Sequence, residues 1–226
     1  MYAFGPTRFG DSFSLIVTCL SDTHELYRDI YLPPGDLLIH AGDVTFFSRR
    51  PSVLKDFNEW LVEQPYRYKV LVPGNHDTLL ALPEFQKQIN NAHLLINSGV
   101  ELGGVKIWGS PVTNLSSGAF AMPDEADRAK VWATIPSDTD ILVTHIPPSG
   151  ILDGEPGSDR HSGCMALRKE LKRLQLKLHV FGHVHSAAGI RHTASMLFVN
   201  ASLAGPLGDL DKEPVRLRLD NETKPG

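Results

Sequence analysis

Cysteine, long apolar runs and excess positive charge are all scarce in this sequence. Two of its 226 residues are cysteines, Cys19 and Cys164, and both lie in apolar patterns, which favours buried thiols over a disulfide or a thiolate zinc site. The apolar run over residues 15–20 is too short to cross a bilayer, and residues 1–11 lack the basic start and apolar stretch of a secretory signal. These absences favour a cytoplasmic protein without membrane contact.

The charge balance limits the partners of the protein. A formal net charge of −4 disfavours a nucleic-acid polymer, because binding to a phosphate backbone requires clustered lysine and arginine. A small-molecule phosphoester substrate stays open, since bound divalent metals add positive charge that this count omits. The sequence has no internal repeat and no shift in composition, which predicts one domain over residues 1–226.

Five short apolar runs each end directly in polar side chains. The runs cover residues 15–20, 36–40, 68–72, 141–143 and 178–181. Runs of this length predict buried strands, and α/β sheets bind ligands where strands end and loops begin. The polar side chains that follow the runs are Asp22, His24, Asp43, Asn75, His76, Asp77, His145, His183 and His185. The sequence therefore predicts one site assembled from five loops.

The intervening segments have helical or hairpin patterns. A helix that begins at Pro51 has one apolar stripe, formed by Val53, Leu54, Phe57, Trp60 and Leu61. Further helices are predicted over residues 83–90, 123–132 and 164–174, and the Gly103-Gly104 pair predicts a hairpin. The alternating runs over residues 196–199 and 215–219 suggest a closing antiparallel pair. This order predicts an α/β layered domain with two sheets or one mixed sheet.

Each polar residue alone has an ordinary structural explanation. Asp22 could cap a helix, Asp43 could form a turn, and a single histidine is more often structural than a ligand. Such explanations must, however, apply five times, always at the end of an apolar run. Imidazole and carboxylate ligands suit Zn, Fe, Mn or Ni, and the set is too large for one tetrahedral ion but sufficient for two if a carboxylate bridges them.

The order of the polar blocks completes a signature. The blocks are Asp22-x-His24, Gly42-Asp43, Gly74-Asn75-His76-Asp77, His145 and Gly182-His183-x-His185. In this order they resemble the five-block signature of the calcineurin-like metallophosphoesterases. The resemblance implies an α/β sandwich of two mixed β-sheets flanked by helices. It also implies two divalent transition metal ions, with Mn favoured and Fe, Zn or Ni as alternatives.

The resemblance implies a role for each block residue. One metal would be held by Asp22, His24, Asp43 and His185. The second would be held by Asp43, Asn75, His145 and His183, with Asp43 as the bridge. His76 would protonate the leaving oxygen or, with Asn75, steady the phosphoryl group, while Asp77 would orient the His76 ring. A metal-bridging hydroxide would then attack phosphorus in line.

One departure from the family pattern bears on the substrate. In the Ser/Thr protein phosphatases the second block continues as Gly-Asp-x-x-Asp-Arg, whereas residues 42–47 here read GDVTFF and lack the arginine that grips a monoester dianion. The segments over residues 107–111 and 177–183 resemble the small metallophosphoesterase-domain branch, whose members hydrolyse cyclic nucleotides and model phosphodiesters. The leading hypothesis is a phosphodiesterase for a small substrate, with cyclic nucleotides among the candidates. A broad phosphomonoesterase and a non-catalytic binding scaffold stay open.

Three further residues carry weaker expectations. His161 lies in the long loop over residues 146–163 and could reach a substrate phosphate, although solvated charges are commoner in loops. Phe46 and Phe47 follow the bridging Asp43 and could form an aromatic wall, although simple packing is favoured.

Overall fold

Two mixed β-sheets form the centre of the molecule. The computed structural model describes residues 13–47, 49–154, 157, 161–205 and 207–221. The strands are β1 (Phe13–Leu20), β2 (Gly35–His40), β3 (Tyr66–Leu71), β4 (His93–Leu94), β5 (Ser98–Leu102), β6 (Val105–Ser110), β7 (Ile141–Thr144), β8 (Leu178–Phe181), β9 (Gly189–His192), β10 (Leu197–Asn200) and β11 (Val215–Asn221). The first sheet has the order β11-β1-β2-β3-β4, and the second has the order β5-β6-β7-β8-β10-β9.

Each sheet combines parallel and antiparallel pairs. In the first sheet β1, β2, β3 and β4 run parallel, and β11 pairs antiparallel with β1. In the second sheet β6, β7, β8 and β10 run parallel, with β5 and β9 antiparallel at the two edges. The five apolar runs correspond to β1, β2, β3, β7 and β8, all of which are parallel strands.

Three hydrophobic clusters define four layers. The central cluster contains Val17 and Ile39 from the first sheet and Val143 and Val180 from the second, so the two sheets face each other. The helices are α1 (Pro51–Glu63), α2 (Pro83–Gln86), α3 (Glu125–Trp132) and α4 (Met165–Glu170). The stripe of α1 packs on the outer face of the first sheet. Side chains of α3 and α4 pack on the outer face of the second. This sandwich confirms the fold implied by the family resemblance.

The predicted helices are all present, and three are shorter than expected. Helix α2 ends at Gln86, and the chain continues in turns. Helix α3 begins after Asp124, whose carboxylate accepts a hydrogen bond from the Asp127 amide (2.9 Å). Cys164 occupies the equivalent capping position of α4, and both cysteines are buried free thiols, as predicted.

The pairing predicted for the last two alternating runs is wrong. Strand β10 pairs with β8 and β9 in the second sheet, whereas β11 pairs with β1 in the first. Alternation specifies that a segment is a strand with one buried face, but it does not specify the partner. Both strands direct apolar side chains into the central core, Val199 from one sheet and Leu219 from the other.

Buried His179 makes the folded state sensitive to acid. Its Nε2 donates to Thr144 Oγ1 (2.9 Å), which itself donates to the Ile146 carbonyl (2.7 Å). Burial lowers the pKa of His179 to about 3, against about 6.5 in an unfolded chain. Below about pH 6.5 the unfolded chain binds a proton that the folded chain does not, so stability falls as the pH drops through that window.

We expect His179→Phe to flatten this pH dependence. Between pH 6 and pH 4 the free energy of unfolding of the wild type should fall more steeply than that of the variant, by up to about 1.4 kcal/mol per pH unit. Urea denaturation at several pH values measures both slopes, and the exposed His192→Gln variant is the control. Equal slopes for wild type and His179→Phe would contradict the assignment.

Candidate metal centre

The predicted site residues meet where the parallel strands of both sheets end. Asp22 and His24 follow β1, and Asp43 follows β2. The second sheet contributes His145 directly after β7 and His183 after β8. The His183 amide donates to Asp22 Oδ2 (2.9 Å), which joins the loops of the two sheets. The fold therefore assembles one site from distant loops, since Asp22 and His183 lie 161 positions apart in the chain.

Four of the loop residues have a strained backbone. Asp22 (φ 55°), His24 (φ 44°), Asp43 (φ 55°) and His183 (φ 69°) all lie in the left-handed region. Such conformations cost about 1–3 kcal/mol each in non-glycine residues and cluster at functional sites. Hydrogen bonds hold the backbone there, since the Asp22 amide donates to Gly42 O (2.8 Å) and the His24 amide to Asp43 O (3.0 Å).

Two glycines of the signature allow the loops to approach closely. A Cβ atom on Gly74 would overlap Asp43 Oδ1, and one on Gly182 would overlap Asp22 Oδ2. Any larger residue at either position would displace a predicted carboxylate ligand. The glycines in these blocks are therefore required by the geometry of the carboxylates.

Asp22, His24 and His185 form the first donor set. One ligand atom from each lies within 4.8 Å of the others. His185 Nε2 is 3.3 Å from Asp22 Oδ1 and 3.4 Å from His24 Nε2. Within the described part of the chain, no group donates a hydrogen bond of good geometry to buried Asp22 Oδ1. A carboxylate oxygen and two imidazole nitrogens thus converge on one point.

Asp43, His145 and His183 form the second donor set, again within 4.8 Å of one another. His145 Nδ1 donates to the Ala41 carbonyl (2.9 Å), which directs Nε2 toward the site. That Nε2 faces Asn75 Oδ1 at 3.0 Å and Asp43 Oδ2 at 3.3 Å. A proton on Nε2 satisfies this arrangement without a cation, and a metal ion can replace that proton. The donors of this set therefore fit a divalent transition metal.

Asp43 connects the two sets. It groups with His145 and His183 on one side and with His24 and His76 on the other, within the same 4.8 Å limit. Its Oδ1 accepts from the His76 amide (2.8 Å), and its Oδ2 faces His145. Its side chain is only 2% exposed. A buried carboxylate between two donor sets is the arrangement that a bridging ligand requires.

The charges within the site are strongly coupled. Burial raises the pKa of Asp22, but the His185 imidazole 3.3 Å away and the charge of His145 lower it by more, so the net pKa lies well below its usual range. Burial acts on Asp43 in the same way, and His145 brings its pKa below the usual range as well. Burial would lower the pKa of His145, but Asp43 raises it to about 9. Both carboxylates are therefore ionised, as metal ligands must be.

The structure corrects the predicted role of Asp77. Its carboxylate accepts hydrogen bonds from the amides of Gly74 (2.8 Å) and Thr45 (2.8 Å), so it joins two loops instead of touching the His76 ring. Burial and the charge of Asp43 raise its pKa to about 6. Asp77 therefore supports the backbone of the site.

The ring of His76 is held by aromatic packing. Its centroid lies 3.6 Å from that of Phe47 and 5.3 Å from that of Phe46, which stacks on it. Among the described residues, none hydrogen-bonds His76 Nδ1, and Nε2 lies 3.9 Å from Asp43 Oδ2. Burial lowers the pKa of His76. The two phenylalanines do pack, as favoured from the sequence, but against histidines at the surface and not in the core.

His161 contacts its own loop. Its Nδ1 lies 2.9 Å from Oδ1 of buried Asp153, whose Oδ2 accepts from the amides of Gly150 (2.9 Å) and Gly163 (3.1 Å). The neighbouring Arg160 lies outside the described residues. A contact between His161 and a substrate phosphate stays a prediction.

Sequence reasoning missed the groove beside the first donor set. His24 and Phe46 line it together with Glu25, Arg49 and Leu207. Arg49 precedes the proline that begins α1, so in the sequence it looks like an ordinary surface residue at a helix entrance. The signal that could have identified Arg49 was its position in the sequence, a few residues after the Gly-Asp block and Phe46.

Comparison with known proteins shows a family match. The sequence model described as calcineurin-like phosphoesterase matches residues 15–187. UPF0046 protein K07C11.7 of Caenorhabditis elegans is 33% identical over 225 residues, 92% of this chain and 77% of that protein. Metallophosphoesterase domain-containing protein 1 of Homo sapiens is 36% identical over 212 residues, 82% of this chain and 65% of that protein. The chain thus spans just under two thirds of the human relative.

Solved structures show the same fold. One superposes with a TM-score of 0.58 at 15% identity, over 82% of this chain and 89% of that chain. The 5'-nucleotidase precursor from Thermus thermophilus superposes with a TM-score of 0.50 at 15% identity, over 92% of this chain and 54% of that chain. Within the described ranges, none of the helices is both long and apolar enough to cross a membrane.

Proposed function

This chain belongs to the calcineurin-like phosphoesterase family, whose members use divalent metals, and from that premise we propose that it hydrolyses phosphodiester bonds of a small substrate at a two-metal centre. The observation that carries the proposal is the position of Asp43, which groups with donors of both sets. Two sets with one shared carboxylate support a pair of ions better than a single structural ion.

The proposal assigns the ligands as follows. Asp22, His24 and His185 would hold one ion, while Asn75, His145 and His183 would hold the other, with Asp43 between them. Divalent ions bound there would supply Lewis acidity and activate water near neutral pH. The remaining chemistry falls to groups of the chain that surround the reacting phosphoryl group.

His76 is the proposed proton donor to the leaving oxygen. Its imidazole lies beside the donor sets, 4.9 Å from the His24 ring between centroids, and is 18% exposed. Phe46 and Phe47 restrict its motion and exclude water from one side of the ring. A histidine fixed at the mouth of the site can donate a proton to an oxygen that leaves toward solvent.

A diester is favoured over a monoester because the second block has no arginine at the position that grips a dianion in protein phosphatases. A specific observation nevertheless keeps phosphomonoester hydrolysis as the second candidate. Arg49 and Arg50 line the groove beside His24, and they could bind the additional charge of a monoester.

Metal removal and replacement test the proposed function. The protein stripped with a chelator should lose hydrolysis of bis(p-nitrophenyl) phosphate, and Mn, Fe, Ni or Zn should restore it, with two ions bound per chain by elemental analysis. Metal at 100 times its dissociation constant should also stabilise the fold by about 2.7 kcal/mol per site, which thermal denaturation detects independently of activity.

The alternatives give different results in the same assay. Faster hydrolysis of p-nitrophenyl phosphate than of the diester would establish the monoesterase. Two bound ions without hydrolysis of either ester would contradict the proposed enzyme and favour a binding scaffold. Retention of full activity after complete chelation would contradict the metal-dependent mechanism.

A further inference from the structure

A groove of about 720 Å³ opens directly beside the first donor set. This volume lies in the range of small-molecule sites. His24 belongs both to the wall of the groove and to the first donor set. Its Nδ1 donates to the Thr45 carbonyl (3.3 Å), which directs Nε2 toward His185 and leaves one edge of the ring beside the groove. A single substrate could therefore place its phosphoryl group at the metal centre and another part of the molecule in the groove.

Two apolar side chains line this groove although they are exposed to solvent. Phe46 is 61% exposed and Leu207 is 90% exposed. Large apolar side chains that are this exposed and line the same groove are typical of a binding surface. The Phe46 amide donates to Glu25 Oε1 (3.3 Å), and its ring meets His24 edge-on at 5.3 Å, so the aromatic wall is fixed at both ends. Phe46 and Leu207 together form an apolar surface that suits a planar ring.

The charged wall of the groove carries a positive excess. Arg50 lies 3.7 Å from Glu25, so these two charges compensate each other. Arg49 also lines the groove, and in the described part of the chain it has no acidic partner within ion-pair distance. An exposed guanidinium beside an apolar wall favours a planar anion, which it can bind in a bidentate manner.

From these walls we infer that the groove binds the leaving group of the substrate, and that this group carries a planar ring and a second anionic group such as a carboxylate or phosphate. The inference rests on the proposed function, because it places the reacting ester at the metal centre. It narrows the substrate class, since a diester whose leaving group has no further charge would not engage Arg49.

Two matched ligands test the inference by binding, without turnover. They are monomethyl esters of arylmethylphosphonates, in which a methylene group replaces the oxygen of the leaving group, so that the bond to the ring-bearing portion cannot be hydrolysed. They have the same planar ring and differ only in a carboxylate or a carboxamide on that ring. Calorimetry on the metal-loaded protein should show about tenfold tighter binding of the carboxylate, which corresponds to about 1.4 kcal/mol. Because the pair differs in one group, the ratio reports the second anion alone.

Removal of a positive charge and removal of a negative charge from the groove wall should change the preference for the carboxylate ligand in opposite directions. Arg49→Gln should reduce the carboxylate preference to about one, whereas Glu25→Gln should increase it, because that change removes a negative charge from the groove wall. Arg168→Gln is the matched control, since Arg168 is an exposed arginine of α4 outside the groove. It should keep the wild-type ratio.

The outcomes separate the inference from the proposed function. Equal affinity of the two phosphonates in the wild type, or an unchanged ratio in Arg49→Gln, would overturn the inference even if diesters are hydrolysed. A carboxylate preference that requires Arg49, in a protein that hydrolyses no diester, would support the groove and contradict the proposed reaction. Phe46→Ala should weaken both phosphonates equally, and no effect on either would overturn the ring-binding part.

Discussion

Asp43→Asn is expected to lower diester hydrolysis by about three orders of magnitude, equivalent to about 4 kcal/mol of transition-state stabilisation, and to reduce bound metal below two ions per chain. Asp43 is buried and groups with donors of both sets, so one substitution affects both ions. An amide offers a single oxygen without charge, and its NH₂ group would oppose a cation. Elemental analysis and the rate with bis(p-nitrophenyl) phosphate measure the two effects.

Asparagine also keeps the shape of the side chain, so loss of metal need not mean loss of fold. Its amide oxygen can accept from the His76 amide, as Asp43 Oδ1 does at 2.8 Å. Asp138→Asn is the control, because Asp138 is an exposed carboxylate paired with Lys106 on the surface. The circular dichroism of both variants should match the wild type. Two bound ions and normal turnover in Asp43→Asn would contradict the shared-ligand assignment.

The position of the site could be predicted because the features that mark it, short apolar runs followed by polar residues, can be recognised locally in the sequence. Each parallel strand is an apolar run that ends at the polar residues, and parallel strands present their carboxyl ends at one edge of a sheet. The order of the five polar blocks along the chain carries the family resemblance, which implies the role of each residue in the site. The pattern of apolar runs singles out Asp43 and His145 as candidates, and the family resemblance implies their roles as ligands, although they follow strands of different sheets and lie far apart in the chain.

Partners across the fold could not be predicted in this way. The alternation in β10 and β11 shows one apolar face each, and both faces reach the same core from different sheets. The predicted contact between Asp77 and His76 failed for a related reason. The two residues are adjacent in sequence, but their side chains have different partners. The Asp77 carboxylate accepts hydrogen bonds from the amides of Gly74 and Thr45, whereas the His76 ring packs against Phe47 of a different loop.

The packing of Phe47 on His76 bears on how the proposed proton donor works. Without a carboxylate beside its Nδ1 among the described residues, the ring is oriented by aromatic contact, with centroids 3.6 Å apart. Burial of the ring disfavours the charged form and lowers the pKa of His76. An imidazolium of lowered pKa is a stronger acid and gives its proton to a leaving alkoxide more readily.

His76→Ala is therefore expected to lower hydrolysis of a dialkyl phosphodiester, whose leaving group is an alkoxide, by about 10²–10⁴-fold. With bis(p-nitrophenyl) phosphate the loss should be about tenfold or less, because nitrophenolate leaves without a proton and little general-acid assistance is lost. Both ions should stay bound, since the imidazole is outside the two proposed ligand sets. Parallel kinetics with the two leaving groups and elemental analysis provide the measurements.

The dependence on the leaving group distinguishes proton donation from two other roles of His76. Equal losses with both substrates would indicate that His76 steadies the phosphoryl group, because that interaction does not depend on which oxygen departs. Loss of an ion would instead indicate that His76 is a metal ligand, in the group that it forms with His24 and Asp43. Phe47→Ala should show the same leaving-group dependence with a smaller loss, because the donor is retained and only its orientation is released.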